Sequence, residues 1–199
     1  MKQLIFRLML CAVTFGVFAQ NASAVPMLTF APLDQSVELG DQVSVDVIVT
    51  GLSSEFVGDF DFFVEWDAGL LSLDSLIFGD ALDDGLGFSF QDVDSGTMGT
   101  VNAAELAFGG LFNQDGFSDI TLFTLTFDTL ALGVSALDFL GNIGGDSSLA
   151  LGDGFGGSYL SGFDEGSITI TANVPEPGQM ALFAIGLIGL GFARRRADA

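Results

Sequence analysis

The chain has 199 residues, enough for one domain with terminal segments, and it carries 26 acidic residues, five basic residues and no histidine. None of the basic residues lies between positions 25 and 173, whereas all but two of the acidic residues do. We therefore expect no binding to nucleic acid, because this region has nothing to neutralise phosphates. The sole cysteine, Cys11, lies near the amino terminus, so a domain that begins after it has no disulfide.

The first 24 residues have the three parts of a secretory signal peptide. Lys2 and Arg7 make the start positive, and residues 8–19 form an apolar centre. The small residues Ala22 and Ala24 have the spacing that precedes signal cleavage. We predict a signal peptide over residues 1–24, and a buried amino-terminal helix is the alternative interpretation.

Residues 25–173 form the predicted domain, in which apolar and polar residues alternate and helical periodicity is almost absent. Gly, Asp and Ser clusters, such as 79–87 and 141–157, separate the alternating runs as turns. Short alternating strands between such turns predict an all-β, antiparallel sandwich. A short turn at 102–106 is the only helix candidate in this region. Four runs each place apolar residues on one face: Val43, Val45, Val47 and Val49; Phe60, Phe62, Val64 and Trp66; Phe123, Leu125 and Phe127; Ile168, Ile170 and Ala172.

The opposite face of the second run is a candidate binding surface. Its residues are Asp59, Asp61, Phe63, Glu65 and Asp67. The acidic stripe predicts either a calcium- or partner-binding face or an ordinary solvated face, and the sequence leaves both open. Tyr159, in a Gly- and Ser-rich stretch, is a further candidate contact, because an exposed ring with a polar tip can stack on a sugar. Trp66 has the parity of the apolar face and is expected to face the core.

Calcium is the one cofactor that the composition favours, because this ion takes clustered oxygen ligands. Asp92 and Asp94 are the candidate ligands. The stretch fails the EF-hand pattern, since Gly96 occupies the third ligand place and Ala103 the place of the terminal glutamate. A hairpin turn is the alternative interpretation of this stretch.

Enzymatic activity is not expected. Without histidine or a cysteine in the domain, the common nucleophile–base pairs and most zinc sites are missing. Without lysine or arginine, the domain also lacks the side chains that bind phosphate and carboxylate groups through charge-assisted hydrogen bonds. A carboxylate-dependent glycosidase is the weakest alternative, because some pair among so many acids always lies at a suitable distance.

The carboxyl-terminal segment 174–199 has three parts in order. They are the motif Val174, Pro175, Glu176 and Pro177, the apolar run 180–193, and the cluster Arg194, Arg195 and Arg196. As a helix the run reaches about 21 Å, short of the roughly 30 Å of hydrocarbon, but snorkelling arginines extend it and act as a stop-transfer signal. This order resembles the PEP-CTERM sorting signal, which implies a short transmembrane helix and processing by an exosortase-type membrane protease. The alternative is an ordinary carboxyl-terminal anchor.

The order ELGDQVSVDVIVTGL…GDFDFFVEWDAGLLSLDSLIFG resembles the start of a cohesin-like domain, with a Val-rich strand, an aromatic strand and a Leu-rich segment. Trp66-Asp67 occupies the place of the aromatic-Asp pair that ends the family's aromatic strand, and residues 70–73 occupy the place of its Leu-rich segment. The stretch FTLTFDTLALGVSALDF resembles the later hairpin of the same fold. The resemblance covers residues 28–172 and implies a jelly-roll sandwich of the kind shared with several carbohydrate-binding modules. It carries over no residue that contacts a partner or a sugar.

These observations together predict a non-enzymatic exported protein. It would be anchored in the inner membrane before processing and would then reach the cell surface or an extracellular matrix such as a biofilm. There the sandwich would bind polysaccharide or a protein partner. The alternatives are an acidic coat or adhesin that acts through cation bridging, and the glycosidase.

Overall fold

The computed structural model describes residues 26–52, 56–83, 89–108, 114, 116–141, 150–154, 158–160, 162–173, 183, 185–187 and 194. Within these residues the chain forms thirteen β-strands in two sheets. The strands are β1 (Met27–Ala31), β2 (Asp34–Glu38), β3 (Gln42–Thr50), β4 (Asp59–Glu65), β5 (Leu71–Phe78), β6 (Ser89–Asp94), β7 (Thr100–Ala107), β8 (Ile120–Thr129), β9 (Gly133–Gly141), β10 (Ala150–Gly152), β11 (Ser158–Leu160), β12 (Gly162–Phe163) and β13 (Gly166–Thr171).

The smaller sheet has five strands in the order β12-β1-β3-β8-β5. At its centre β3 and β8 pair antiparallel, and their alternating apolar residues face the core. Val45, Val47, Phe123 and Leu125 are buried, which confirms the predicted faces of both strands. Branched and aromatic side chains favour such strands because they fit a pleated, half-buried surface.

The larger sheet is organised around β4. One edge of β4 pairs with β7, and the other edge pairs with β9 and β10. Beyond β9 the sheet continues through β13 to β2, and beyond β7 it continues to β6. The chain passes from β1 in the smaller sheet to β2 in the larger one through the cis peptide between Ala31 and Pro32. In the part of the chain that the structure describes, β6 pairs with β7 alone, which makes β6 an edge strand.

Aromatic rings from both sheets fill the space between them. Phe30 of β1 stacks on Phe139 of β9 with the ring centroids 4.2 Å apart. Phe62 of β4 and Phe123 of β8 meet with the centroids 5.8 Å apart. Ring pairs of this kind contribute about 0.5–1.5 kcal/mol beyond the burial of their area. Among the residues that the structure describes, the buried apolar ones lie between positions 28 and 170.

The structure differs from the sequence-based expectations at three places. Ala172, predicted on the same face as Ile168 and Ile170, lies beyond the end of β13 and is exposed. The helix candidate at 102–106 lies inside β7 and is extended, because it pairs with β4 on one side and β6 on the other. The Gly-rich segment 141–157, expected as a turn, contains β10, which pairs with the end of β4.

Both terminal predictions fall mainly on residues outside the described ranges. The signal peptide over 1–24, with Ala22 and Ala24, lies there, as do the sorting motif at 174–177 and two of the three arginines. Phe183, the residues 185–187 and Arg194 are helical and exposed. None of the helical residues that the structure describes belongs to a helix with the length and hydrophobicity needed to cross a bilayer.

Candidate functional site

The solvent side of β6, β7, β4 and β9, here called the outer face, collects most of the site residues predicted from the sequence. Asp59, Asp61, Phe63 and Glu65 alternate with the buried residues of β4 and lie on this side, as their spacing predicts. The neighbouring strands add apolar and acidic residues in register with them. The outer face is therefore a mixed surface of hydrophobic side chains and carboxylates.

The apolar part of the outer face comes from four residues on four strands. Phe90 of β6 lies opposite Leu106 of β7, which lies opposite Asp59. Phe63 of β4 lies opposite Leu140 of β9. Phe90 is 60% exposed, Leu140 41% and Leu106 38%, while Phe63 is half-buried. They form two pairs, Phe90 with Leu106 and Phe63 with Leu140, which lie about 13 Å apart along β4. Exposed apolar side chains that lie side by side, as in each pair, are a feature of interaction sites.

The acidic part of the outer face has no positive charge to balance it. Glu65 of β4 lies directly opposite Asp138 of β9, and like charges at opposed positions destabilise a sheet. Asp61 is held in place by Asn102, whose Nδ2 donates to its Oδ1 at 2.8 Å. The same amide donates to the Phe62 carbonyl at 3.1 Å. This network fixes at least one carboxylate in a defined position on the face.

The calcium candidates also lie on the outer face. Asp92 and Asp94 alternate on β6, and the Oδ1 of Asp94 accepts a hydrogen bond from the Gly96 amide at 2.9 Å. Residues 89–107 form a β6–β7 hairpin, the alternative interpretation of this stretch. Among the described residues, no three acidic, histidine or cysteine side chains lie close enough to hold a metal ion. Calcium binding at these two residues stays a prediction.

The remaining predicted site residues lie outside the four strands of the outer face. Asp67 is in the turn after β4, where its Oδ1 accepts from the Gly69 amide at 2.8 Å. Tyr159 belongs to β11, and its side chain is outside what the structure describes. Trp66 packs edge-on against Phe127, with centroids 5.1 Å apart, and its indole N–H donates to the Leu71 carbonyl. The indole is therefore engaged with the core, as its parity predicts.

A groove of 390 Å³ lies on the outer face between Asp59, Asp61, Phe90 and Leu106. Two further concavities border the face. A shallow depression of 610 Å³ is lined by Glu65, Asp67 and Asp138 together with Met98. A second groove of 550 Å³ runs between β5 and the β6–β7 turn, and Trp66 forms part of its wall. Met98 lines both and is 89% exposed. The acidic depression lies at the end of the outer face, so the face and the depression form one continuous acidic surface.

Two functional or structural residues were not predicted from the sequence. Glu105 is 2% exposed, and burial raises its pKa above the usual value, against the opposing effect of hydrogen bonding from Gln91. Gln114 is 3% exposed and bonds to the backbone of Val57. No local signal marks either residue, because Glu105 sits in the stretch AAEL and Gln114 in the turn-like stretch NQDG.

The arrangement of the two sheets matches that of cohesin modules. CaCohA2 from Clostridium acetobutylicum has a TM-score of 0.61 at 22% identity, over 77% of this chain and 95% of that one. The sandwich is cohesin-like. The type I cohesin–dockerin complex of OlpA from Clostridium thermocellum gives 0.58 at 18% identity, over 74% and 99%. The seventh ScaB type I cohesin from Pseudobacteroides cellulosolvens gives 0.56 at 20% identity, over 77% and 96%. At these identities the cohesin-like modules establish the fold alone.

The carboxyl terminus matches a family model of its own. Residues 173–196 match the model described as the PEP-CTERM protein-sorting motif. This confirms the resemblance seen in the sequence, and the motif indicates export and sorting to the surface. No curated protein shows significant sequence similarity to the chain.

Proposed function

We propose that the chain is an exported surface protein whose cohesin-like sandwich binds a protein partner through the outer face. The observation that carries this proposal is the exposure of Phe90, Leu106 and Leu140 within one acidic sheet face. Apolar contacts would supply the binding energy, and the surrounding carboxylates would select the partner. The solved neighbours include cohesins in complex with dockerins, which supports a protein as the kind of partner.

The contact surface of the partner is basic in this proposal. The segment 25–173 has no Lys, Arg or His, so every positive charge at the interface must come from the partner. Glu65 and Asp138, opposed without a cation between them, are the positions where a Lys or Arg would relieve the most repulsion. The same charge disfavours pairing of two copies of the chain, because both surfaces are acidic.

Export and processing form a separate part of the proposal. A signal peptide over 1–24 directs export, and the helix that ends at Arg194, Arg195 and Arg196 holds the chain in the inner membrane. An exosortase-type enzyme then cuts near Pro175, Glu176 and Pro177 and releases the acidic domain toward the surface. Mass spectrometry of the mature protein tests both ends. We expect an amino terminus at Val25 and loss of all residues after the motif, whereas an intact carboxyl terminus would contradict the proposal.

An acidic coat that acts through cation bridging is the second candidate, and the opposed pair Glu65 and Asp138 is the observation that favours it. Calcium-dependent self-association of the purified chain would support this candidate. Binding to polysaccharide in place of protein, measured on a glycan array, would contradict the main proposal.

The main proposal is tested by affinity measurements with a matched pair of variants. The probe is a panel of purified dockerin modules on biosensor tips. Phe90→Ser removes an exposed ring from the outer face, and Ile77→Ser removes a similarly exposed side chain, 65% against 60%, from β5 of the smaller sheet. We expect Phe90→Ser to weaken binding by roughly tenfold or more and Ile77→Ser to leave it unchanged. Equal affinities for both variants and the unchanged chain would contradict the outer face as the binding site.

A further inference from the structure

A buried carboxyl group lies beneath the outer face, at the edge of the larger sheet. Glu105 of β7 lies opposite Phe60 of β4 and Gln91 of β6, and its side chain is on the core side. It is the one buried acidic residue in the part of the chain that the structure describes. The next residue, Leu106, points the other way and belongs to the outer face. Any change at Glu105 therefore acts directly on the strands that form this surface.

Only part of the Glu105 carboxyl group is satisfied by hydrogen bonds. The Nε2 of Gln91 donates to Oε1 at 2.8 Å, whereas Oε2 has no hydrogen-bond partner among the residues that the structure describes. The buried Oγ of Ser89 also lacks a partner, although it lies close enough to influence the pKa of the carboxyl. When the carboxyl is ionised, it keeps the bond from Gln91, whereas the nearby Ser89 hydroxyl lowers its pKa in part but does not reach hydrogen-bond geometry with its second oxygen. A proton on Oε2 removes the charge and supplies a donor next to the serine oxygen.

No positive side chain is available to balance an ionised Glu105, because residues 25–173 contain no Lys, Arg or His. The strands packed against it carry their acids on the outer face, at Asp59, Asp61, Asp92 and Asp94. From the segment after β5, the charge of Asp83 acts on Glu105. Burial raises the pKa of Glu105, the Gln91 and Ser89 side chains lower it in part, and Asp83 raises it again. The charge of Asp83 therefore adds to the cost of ionising this carboxyl.

Among the described residues, the strand that covers Glu105 is paired along one edge only. β6 pairs only with β7 among the described residues, and five of its six residues are exposed. Edge strands with little buried surface open at low free energy. Separation of β6 from β7 would withdraw Gln91 and Ser89 and let water reach the carboxylate, which removes the penalty for burying its charge.

We propose that the protonation state of Glu105 controls the pairing of β6 with β7. The neutral form keeps β6 paired, and the ionised form favours opening of β6. Phe90, Asp92 and Asp94 lie on β6, so opening of β6 takes these side chains out of the outer face. Regulation of partner binding by this equilibrium rests on the proposed function. The pairing equilibrium itself is a property of the chain alone.

The direction of the pH dependence follows from the raised pKa. With β6 open, water reaches the carboxyl and its pKa returns toward the ordinary value of 4.5. Below that value both states are protonated and β6 is most firmly paired. As the pH rises from there through the raised pKa of the paired state, the open fraction increases by about tenfold per pH unit. Above the raised pKa the open fraction no longer changes.

Hydrogen exchange of the backbone amides of residues 89–94, measured by NMR on the purified full chain, tests the proposal. The exchange rates are divided by the intrinsic rate at each pH, over a range of about pH 4 to 8. In the wild-type chain, the protection of the β6 amides from hydrogen exchange should fall as the pH rises. In Glu105→Gln, which keeps the shape and stays neutral, protection should not depend on pH. Asp92→Asn, which removes a charge from the exposed side of the same strand, should keep the pH dependence of the unchanged chain.

A carbon-13 titration of the Glu105 carboxyl in the same samples gives an independent measurement. Identical pH profiles for the unchanged chain and Glu105→Gln, or an ordinary pKa for this carboxyl, would overturn the proposal. All these measurements use the chain without a partner, so a failure of the outer face to bind protein does not affect them.

Discussion

Replacing Gln114 with alanine should destabilise the sandwich far more than its place in a turn-like sequence suggests. The Gln114 side chain joins two segments of backbone. Its Oε1 accepts from the Val57 amide at 2.9 Å, and its Nε2 donates to the Val57 carbonyl at 2.6 Å and to the Ala81 carbonyl at 3.3 Å. Val57 is fully buried and Ala81 nearly so, which means that water cannot easily replace the lost bonds.

The magnitude follows from the two short bonds to Val57. Each buried backbone group left without a partner costs about 1–3 kcal/mol, and the long bond to Ala81 adds little. We therefore expect Gln114→Ala to lower the free energy of unfolding by about 4 kcal/mol. For a domain of this size that corresponds to a fall in Tm of roughly 10 °C. Gln114→Glu should be worse at neutral pH, because it places a carboxylate oxygen against the Val57 carbonyl.

Urea denaturation followed by tryptophan fluorescence measures the change, since Trp66 packs on the core. Gln35→Ala is the matched control, because the Gln35 side chain makes one exposed bond, to the Ser44 carbonyl at 3.1 Å. The control should lose about 0.5 kcal/mol or less. If Gln114→Ala were no more destabilising than Gln35→Ala, the assigned contacts of Gln114 would be wrong.

Three further predictions concern charge and packing. Glu105→Gln should raise the Tm at neutral pH, but not at a pH below the ordinary pKa of a glutamate. The reason is that a carboxyl with a raised pKa stabilises the folded chain only while it is protonated. Thermal scans at neutral pH and at this lower pH, with Asp92→Asn as the control, measure the difference. Phe62→Ala, which removes a ring that is 1% exposed, should cost about 3–5 kcal/mol in urea denaturation. Ile77→Ala, at an exposed position, should cost about 0.5 kcal/mol or less by the same assay, and similar losses for both would refute the assigned core. Added sodium chloride should raise the Tm at neutral pH by screening repulsion among the acids, and a Tm indifferent to salt would contradict this.

The strands with strict alternation were predictable from the sequence. β3, β4 and β13 have buried residues at every second position, so the side of each strand that enters the core is set locally. β8 breaks the alternation once, at Leu122 and Phe123, which are both buried beside a register shift against β3. β10 could not be predicted in the same way, since it is three residues of a Gly-rich stretch and is extended because it pairs with β4. Pairing between distant segments, and not local preference, makes such a strand.

The candidate site was predictable only in part for the same reason. Alternation placed Asp59, Asp61 and Phe63 on one side of β4, and the structure has them there. The companions Phe90 and Leu140 depend on the register between β4 and strands far away in sequence, which no local pattern specifies. The burial of Glu105 has the same origin, since its own strand carries small residues that give a weak alternation signal.

An NMR chemical-shift map of the chain with its protein partner tests directly whether the outer face is the binding site. We expect the shifted amides to lie in β6, β7, β4 and β9, with the largest changes around Phe63, Phe90 and Leu106. The amides of β3, β5 and β8 in the smaller sheet should stay unchanged. Shifts concentrated in the smaller sheet, or shifts produced by a polysaccharide and by no protein, would contradict the outer face as a protein-binding site.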